Sequence, residues 1–151
     1  MVDPRLSGYL TRALNHEMAA VQQYLAQATL LEMWGMADAA RQMRHESQEE
    51  LEHAERIIRV MLLHGMAPRS TQLPAVRVGR SLADMLLIDR ELELEAIRLY
   101  DEAARYCQRV RHAQAFKLFA VLLREEQEHL ASVEKWLLEV QRQEGAQHHG
   151  G

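Results

Sequence analysis

Residues 49–53 read Glu-Glu-Leu-Glu-His, and 76 positions further along the chain residues 125–129 read Glu-Glu-Gln-Glu-His. Residues three apart on an α-helix share a face, so Glu50 with His53, and Glu126 with His129, can each present a carboxylate and an imidazole to one point. Mixed oxygen and nitrogen ligation of this kind suits iron or manganese better than calcium. The two stretches therefore predict two helices that contribute to a metal site.

The same offset pairs further residues upstream. It carries Glu17 to Glu93 and Tyr24 to Tyr100, so each half of the chain reads Glu, then Tyr seven residues later, then Glu-x-x-His. A single Glu-x-x-His is a weak indication of metal binding, but two copies with matching upstream glutamates are a strong one. The pattern indicates an internal duplication of a chemical site.

Composition indicates one all-α domain. The chain has 151 residues, 48% of them hydrophobic, with only 7 Gly and 3 Pro, which is typical of long helices. The net charge of −4, without a basic cluster among aromatic residues, argues against nucleic-acid binding. Charged residues interrupt every apolar run, so we expect no membrane span. Cys107 is the lone cysteine and no leader pattern opens the sequence, so we expect a cytoplasmic protein without disulfides.

Local signals divide the chain into helices. Asp3 and Pro4 form a good helix start, and an apolar stripe continues at helical spacing to residue 31. After a short corner at residues 34–36, Asp38 is the predicted cap of a second helix that ends at His64-Gly65. A short corner predicts that these two helices are antiparallel neighbours.

Residues 65 to about 80 contain most of the prolines and no helical stripe, so they are the predicted long connection. A stretch of this length can reach ~50 Å, enough to run the length of a bundle. The third helix would then be parallel to the second, which is the single-crossover topology of ferritin-like bundles. Ser81 and Asp84 resemble a capping box, and the next boundary lies near residues 108–112. We expect the bundle to occupy residues 1–144 and the polar tail from Gly145 to Gly151 to be disordered.

The candidate ligands lie on the apolar faces of the four predicted helices, one Glu on each of two and Glu-x-x-His on each of the others. They are Glu17, Glu50, His53, Glu93, Glu126 and His129. This is the ligand set of carboxylate-bridged di-iron and di-manganese bundles, and four carboxylates offset two divalent cations. The alternative is a set of solvated charges that align by accident. We assign that interpretation to the other glutamates: Glu46, Glu49, Glu52, Glu55, Glu125 and Glu128.

At these residues the chain resembles the bacterioferritins from about Leu6 to Leu138. The matching stretches are residues 14–17, 23–24, 34–35, 44–47, 50–54, Asp89 with Glu93, and 125–129. The resemblance implies a ferroxidase centre with Glu17 and His53 on one iron and Glu93 and His129 on the other. It further implies that Glu50 and Glu126 bridge the two ions and that Tyr24 lies beside them.

The chain departs from the bacterioferritin pattern at three places. Leu51 stands where the family has the methionine that ligates haem, so we expect no haem in the homo-oligomer, although a Met-bearing partner subunit would allow it in mixed oligomers. We expect no counterpart of the family's short fifth helix, because a polar tail follows the fourth predicted helix. His45 with Glu49 replaces the His–Asp pair of the family's inner-surface iron site, and we favour a plain surface contact for this pair.

The sequence thus predicts a ferroxidase that oxidises Fe(II) with oxygen or peroxide and passes Fe(III) to storage. The alternatives are a small di-metal oxidase or peroxidase, with iron or manganese, that stores no iron, and a structural bundle without chemistry. We expect a homo-oligomer, at least a dimer through apolar residues such as Leu30, Leu31 and Trp34, with a twenty-four-subunit cage somewhat favoured over a smaller assembly.

Overall fold

The computed structural model describes residues 3–69 and 73–149 and contains four long helices. They are α1 (Pro4–Met33), α2 (Ala37–Leu63), α3 (Leu82–Arg109) and α4 (Ala113–His149). The fold is a ferritin-like four-helix bundle with one long connection between α2 and α3, as predicted. No described helix is both long and apolar enough to cross a membrane.

The first two helices begin differently. Asp3 caps α1 by accepting a hydrogen bond from the Leu6 backbone N–H at 2.9 Å. The prediction that Asp38 caps α2 is wrong, because the helix already begins at Ala37 after Met36, which makes no side-chain cap. Gly35, with φ of 78°, reverses the chain so tightly that helical geometry resumes before Asp38 is reached. Asp38 instead lies in the first turn, where the helix dipole favours a carboxylate.

The second half of the bundle begins and turns where the sequence indicates. The Ser81 hydroxyl accepts a hydrogen bond from the Asp84 N–H at 3.1 Å, which caps α3. After α3, Arg111 adopts a φ of 57°, and the Nδ1 atom of His112 accepts a hydrogen bond from the Ala115 N–H at 3.2 Å. The corner between α3 and α4 is therefore as short as the one between α1 and α2.

The connection between α2 and α3 is fastened to the side of α1. Gln23 donates from Nε2 to the carbonyl of Arg77 at 2.8 Å and accepts from the Arg77 N–H at 3.1 Å. Since α1 packs on α2 and α3, and α4 packs on α3 and α2, the helices α2 and α3 lie on a diagonal of the bundle. A connection between diagonal helices has to be long, which explains the stretch before Leu82.

The core consists of two apolar clusters, one toward each end of the bundle. One combines α1 residues 6–14, α2 residues 54–61, α3 residues 96–107 and α4 residues 115–122. The other combines α1 residues 20–31, α2 residues 40–43, α3 residues 85–86 and α4 residues 133–140. On every helix the candidate ligands fall in the interval between the two clusters. The fold therefore positions a polar layer in the middle of an apolar interior.

Two expectations about the surface and the tail need correction. Leu31 is fully buried in the core, because it continues the inward row of Tyr24 and Ala28, so it cannot support a subunit contact. The backbone of residues 145–149 is helical, whereas we expected disorder from Gly145. One glycine costs a helix only about 1 kcal/mol relative to alanine, and its neighbours favour helix. Residues 150–151 lie outside the described part of the chain.

Candidate metal centre

The structure brings all six predicted ligands together in the middle of the bundle, where their candidate ligand atoms form two groups. The first contains Glu17, Glu50, His53 and Glu126, and the second contains Glu50, Glu93, Glu126 and His129. Within each group the candidate ligand atoms lie within 4.8 Å of one another. Glu50 and Glu126 belong to both groups, which is the arrangement that two bridging carboxylates require.

Both imidazoles turn their Nδ1 atoms toward the carboxylates. The Nδ1 atom of His53 lies 2.8 Å from Glu126 Oε1 and 3.6 Å from an oxygen of Glu17 and of Glu50. The Nδ1 atom of His129 lies 3.0 Å from Glu50 Oε1, with which it forms a hydrogen bond. The two rings stack with their centroids 5.6 Å apart. The other nitrogen of each ring, Nε2, faces away from the four carboxylates of the predicted site.

The acidic groups perturb one another strongly. Burial, together with the neighbouring Glu17, raises the pKa of Glu50 to about 8. Burial would also raise the pKa of Glu17, but the adjacent Glu50, His53 and Tyr100 outweigh it and lower that pKa. Burial raises the pKa of Glu126 to about 7 and, with Glu126 beside it, holds the pKa of Glu93 well above its usual range. Among protein groups alone, the cluster therefore retains protons that bound cations would displace.

Both imidazoles have raised pKa values, which favours their charged form. Burial by itself would lower the pKa of His53, but Glu126, Glu17 and Glu50 outweigh it and raise that pKa well above the usual value. The pKa of His129 rises to about 10 because Glu50, Glu126 and Glu93 outweigh burial in the same way. The two charged rings thus offset part of the negative charge that two divalent ions would offset in full.

Several buried atoms of the cluster have no hydrogen-bond partner. In the described part of the chain these are Glu17 Oε2, Glu93 Oε2, both oxygens of Glu126 and His53 Nδ1. The 2.8 Å between His53 and Glu126 is an ion-pair separation without the orientation of a hydrogen bond. Each buried polar atom without a partner costs about 1–3 kcal/mol. Divalent cations between these atoms would satisfy them, so the donor set fits a dinuclear metal site.

Two tyrosines complete the cluster, each reaching across to the glutamate of the other half. The Tyr24 hydroxyl donates to Glu93 Oε1 at 2.5 Å, and the Tyr100 hydroxyl donates to Glu17 Oε1. Burial and the adjacent carboxylates raise the pKa of both tyrosines well above the usual value, so both keep their protons. Our predicted site included Tyr24 but omitted Tyr100. The 76-residue offset that pairs the two tyrosines is the signal that could have identified it.

Three glutamates assigned to the solvated surface are in fact part of the cluster's surroundings. Glu125 lies 2.9 Å from His53 Nε2, Glu49 contacts His129 Nε2, and Glu46 lies 3.8 Å from His129 Nδ1. That assignment is wrong because Glu49 and Glu125 are one residue, and Glu46 one helical turn, before a candidate ligand, and a long side chain there still reaches a ring on the adjacent helix. For Glu52, Glu55 and Glu128, which are exposed, the assignment is confirmed.

Leu51 and His45 lie on the outside of α2. Leu51 is 45% exposed, in a position where it contributes nothing to the buried cluster. The exposed His45 forms an ion pair with Glu49 at 2.8 Å. Because Glu49 also contacts His129, the pair is connected to the cluster and is more than the surface contact that we favoured.

Comparisons with known proteins establish the family of the chain. Residues 8–142 match the model of the ferritin-like domain family. The bacterioferritin of Rhodobacter capsulatus is 35% identical over 133 residues, which cover 87% of this chain and 82% of that protein. The chain belongs to the bacterioferritin family. The bacterioferritin of Streptomyces coelicolor is 33% identical over 136 residues, covering 89% of this chain and 81% of its own.

A solved bacterioferritin has the same fold. The R. capsulatus protein superimposes with a TM-score of 0.90 and 32% identity, covering 93% of this chain and 88% of that one. That crystal structure contains a metal-free dinuclear site and a haem iron. The resemblance recognised in the sequence is therefore confirmed at the level of family and fold.

Proposed function

We propose that this bacterioferritin is a ferroxidase that binds two Fe(II) ions per subunit, oxidises them with oxygen or peroxide and delivers Fe(III) for storage. Family membership supports iron storage with ferroxidase-type function in general terms. One observation carries the more specific proposal: a duplicated set of four buried carboxylates and two imidazoles in which several atoms have no hydrogen-bond partner.

The two groups of side chains suggest the role of each ligand. Glu17 and His53 occur only in the first group and would bind one iron, whereas Glu93 and His129 occur only in the second and would bind the other. The remaining pair, Glu50 and Glu126, would bridge the ions. Four carboxylates balance the charge of two Fe(II) ions in the apolar interior and favour the additional charge of the oxidised state.

The two tyrosines orient the carboxylates of Glu17 and Glu93 by hydrogen bonds. Tyr24 occupies Oε1 of Glu93 and Tyr100 occupies Oε1 of Glu17, while Oε2 of each glutamate has no hydrogen-bond partner. Each terminal glutamate is therefore held at one oxygen and free to bind a cation at the other. Such outer hydrogen bonds fix the orientation of a ligand before metal arrives.

In the proposed reaction the iron supplies the electrons, and Glu50 and Glu126 release protons when the cations bind. Each Fe(II) gives up one electron, and two electrons with two protons convert oxygen to peroxide, or peroxide to two waters. Binding of the cations displaces the protons that Glu50 and Glu126, with pKa values of about 8 and 7, hold in the protein alone. Iron uptake should therefore release protons to solvent.

Rapid iron oxidation tests this proposal. In stopped-flow mixing of Fe(II) with aerated protein, Glu50→Ala should lose the fast phase, whereas Glu52→Ala on the exposed side of the same helix should keep it. A fast phase that survives Glu50→Ala would contradict the assignment of the site. Iron loading separates storage from the alternative, since a protein that takes up no more than about two ions per subunit would be a di-metal oxidase or peroxidase, with iron or manganese.

We further propose a homo-oligomer, at least a dimer, with the twenty-four-subunit cage as the favoured form. The support is the exposure of apolar residues on α1, α2 and the corner between them, namely Leu25, Leu51 and Trp34. Light scattering on a sizing column tests it, and a particle that keeps the mass of a dimer during iron loading would argue against storage.

A further inference from the structure

Glu125 contacts the nitrogen of His53 that faces away from the proposed metal site. Its Oε2 atom lies 2.9 Å from His53 Nε2 and accepts a hydrogen bond from Arg56 Nη1 at 2.6 Å. The exposure of the side chains decreases inward along this row, from 42% at Arg56 through 27% at Glu125 to 3% at His53. A permanent cation at the surface thus holds a carboxylate against a buried ring.

The position of Glu125 fixes which nitrogen of His53 is available. A neutral imidazole carries its proton on one nitrogen and its free lone pair on the other. In the metal-free protein the ring is charged and carries a proton on each nitrogen, and a cation bound beside Glu17, Glu50 and Glu126 would replace the proton on Nδ1. The carboxylate of Glu125 at Nε2 keeps the remaining proton there, which leaves the lone pair of Nδ1 for the cation. The contact also opposes rotation of the ring about χ2, because such a rotation would separate Nε2 from Glu125.

The second half of the duplicated pattern repeats this contact on the other histidine, which indicates that the contact belongs to the site. Glu49 is the counterpart of Glu125 in the 76-residue offset, and it contacts Nε2 of His129. The outer neighbour differs, however, because Glu49 pairs with the exposed His45 at 2.8 Å, whereas Glu125 pairs with Arg56. An arginine keeps its charge at every accessible pH and binds a carboxylate with a defined geometry, so the row on His53 is the firmer of the two.

We propose that Glu125, held by Arg56, is a positioning residue that fixes the ring orientation and the Nε2–H tautomer of His53, and thereby sets the affinity of the metal position formed with Glu17. The inference rests on the proposed function, since it concerns one of the two metal positions assigned above.

Cobalt(II) is the probe for this inference, because its visible spectrum reports the ligand geometry. Wild-type protein should bind two Co(II) ions per subunit. In Glu125→Ala one of the two should bind about 10- to 100-fold more weakly, with an altered visible band. Glu125→Gln should lie between, because its amide oxygen can still accept from Nε2–H. Arg56→Gln should weaken the same ion by a smaller factor. The control is Glu128→Ala on the same helix, which should leave both ions unchanged.

A second readout follows the tautomer directly. In the Zn(II)-loaded protein, ¹⁵N NMR of the His53 ring should show the Nε2–H form in wild type, and the corresponding ring signal should broaden or shift in Glu125→Ala. If Glu125→Ala does not fold, Glu125→Gln and Arg56→Gln carry the same comparison.

Four results would overturn one or the other of these proposals. Wild-type affinity and spectrum in Glu125→Ala, or an equal loss in Glu128→Ala, would overturn the positioning role while leaving the proposed function intact. A fall in thermal stability without any change in Co(II) binding would also overturn it. A wild-type protein that binds no Co(II) at all would overturn the proposed function itself.

Discussion

Removal of the Tyr100 hydroxyl tests how the protein holds its buried carboxylates. The Tyr100→Phe substitution keeps the ring, which packs against Phe119 with centroids 6.0 Å apart, but deletes the donor to Glu17 Oε1. Glu17 is fully buried and its other oxygen already has no partner. Loss of a buried hydrogen bond to a charged group costs about 1.5–3 kcal/mol, so we expect the metal-free protein to lose about 2 kcal/mol of unfolding free energy.

Tyr9→Phe is the matched control. Tyr9 is equally buried, but its hydroxyl donates at 2.9 Å to Glu102, which is exposed and can be solvated instead. We expect this change to cost less than about 1 kcal/mol. Urea unfolding of the chelator-treated proteins, at one protein concentration and with matched oligomeric state, measures both values. If Tyr100→Phe costs no more than Tyr9→Phe, the idea that Tyr100 satisfies an otherwise isolated carboxylate is refuted.

Three further predictions concern pH, the long connection and haem. Burial raises the folded-state pKa of Glu50 to about 8 from an unfolded value near 4.5, so its stabilising contribution to the metal-free protein is complete below about pH 4.5 and is lost as pH rises toward 8. The urea midpoint should therefore decrease between pH 5.5 and 8.5, and the decrease should be smaller in Glu50→Gln. Gln23→Ala removes both hydrogen bonds to Arg77, so limited trypsin digestion should cut the α2–α3 connection several-fold faster than in the control Gln22→Ala, which changes an exposed residue. Equal rates would contradict the proposal that Gln23 holds the connection against α1. The homo-oligomer should show no strong Soret band, because Leu51 offers no ligand to haem iron; a strong band without a second type of subunit would defeat that prediction.

The sequence was sufficient for the fold and for bringing the six candidate ligands together, for a physical reason. Helical periodicity and the repeat at 76 residues are both local features, and together they place Glu17 and Glu93 opposite the Glu-x-x-His motifs. Apolar residues on either side of each ligand then dictate the depth at which it lies. Family-level comparison reached the same fold independently.

What lay beyond the sequence were contacts that depend on rotation between helices. Whether Glu125 points to solvent or to His53 depends on how far α4 is turned relative to α2, and a shift of one residue moves a side chain by about 100° around the helix. Tyr100 is a different case, because the same offset that identified Tyr24 also identifies Tyr100. The start of α2 depended on Gly35, whose positive φ sets the corner more tightly than a cap at Asp38 allows.

The proposed ferroxidase requires that two metal ions bind between Glu50 and Glu126. Anomalous diffraction at the iron edge, from crystals soaked in Fe(II), locates such ions directly. We expect two peaks about 3.5–4 Å apart, one beside Glu17 and His53 and the other beside Glu93 and His129. A single peak, or iron bound elsewhere with this cluster empty, would contradict it.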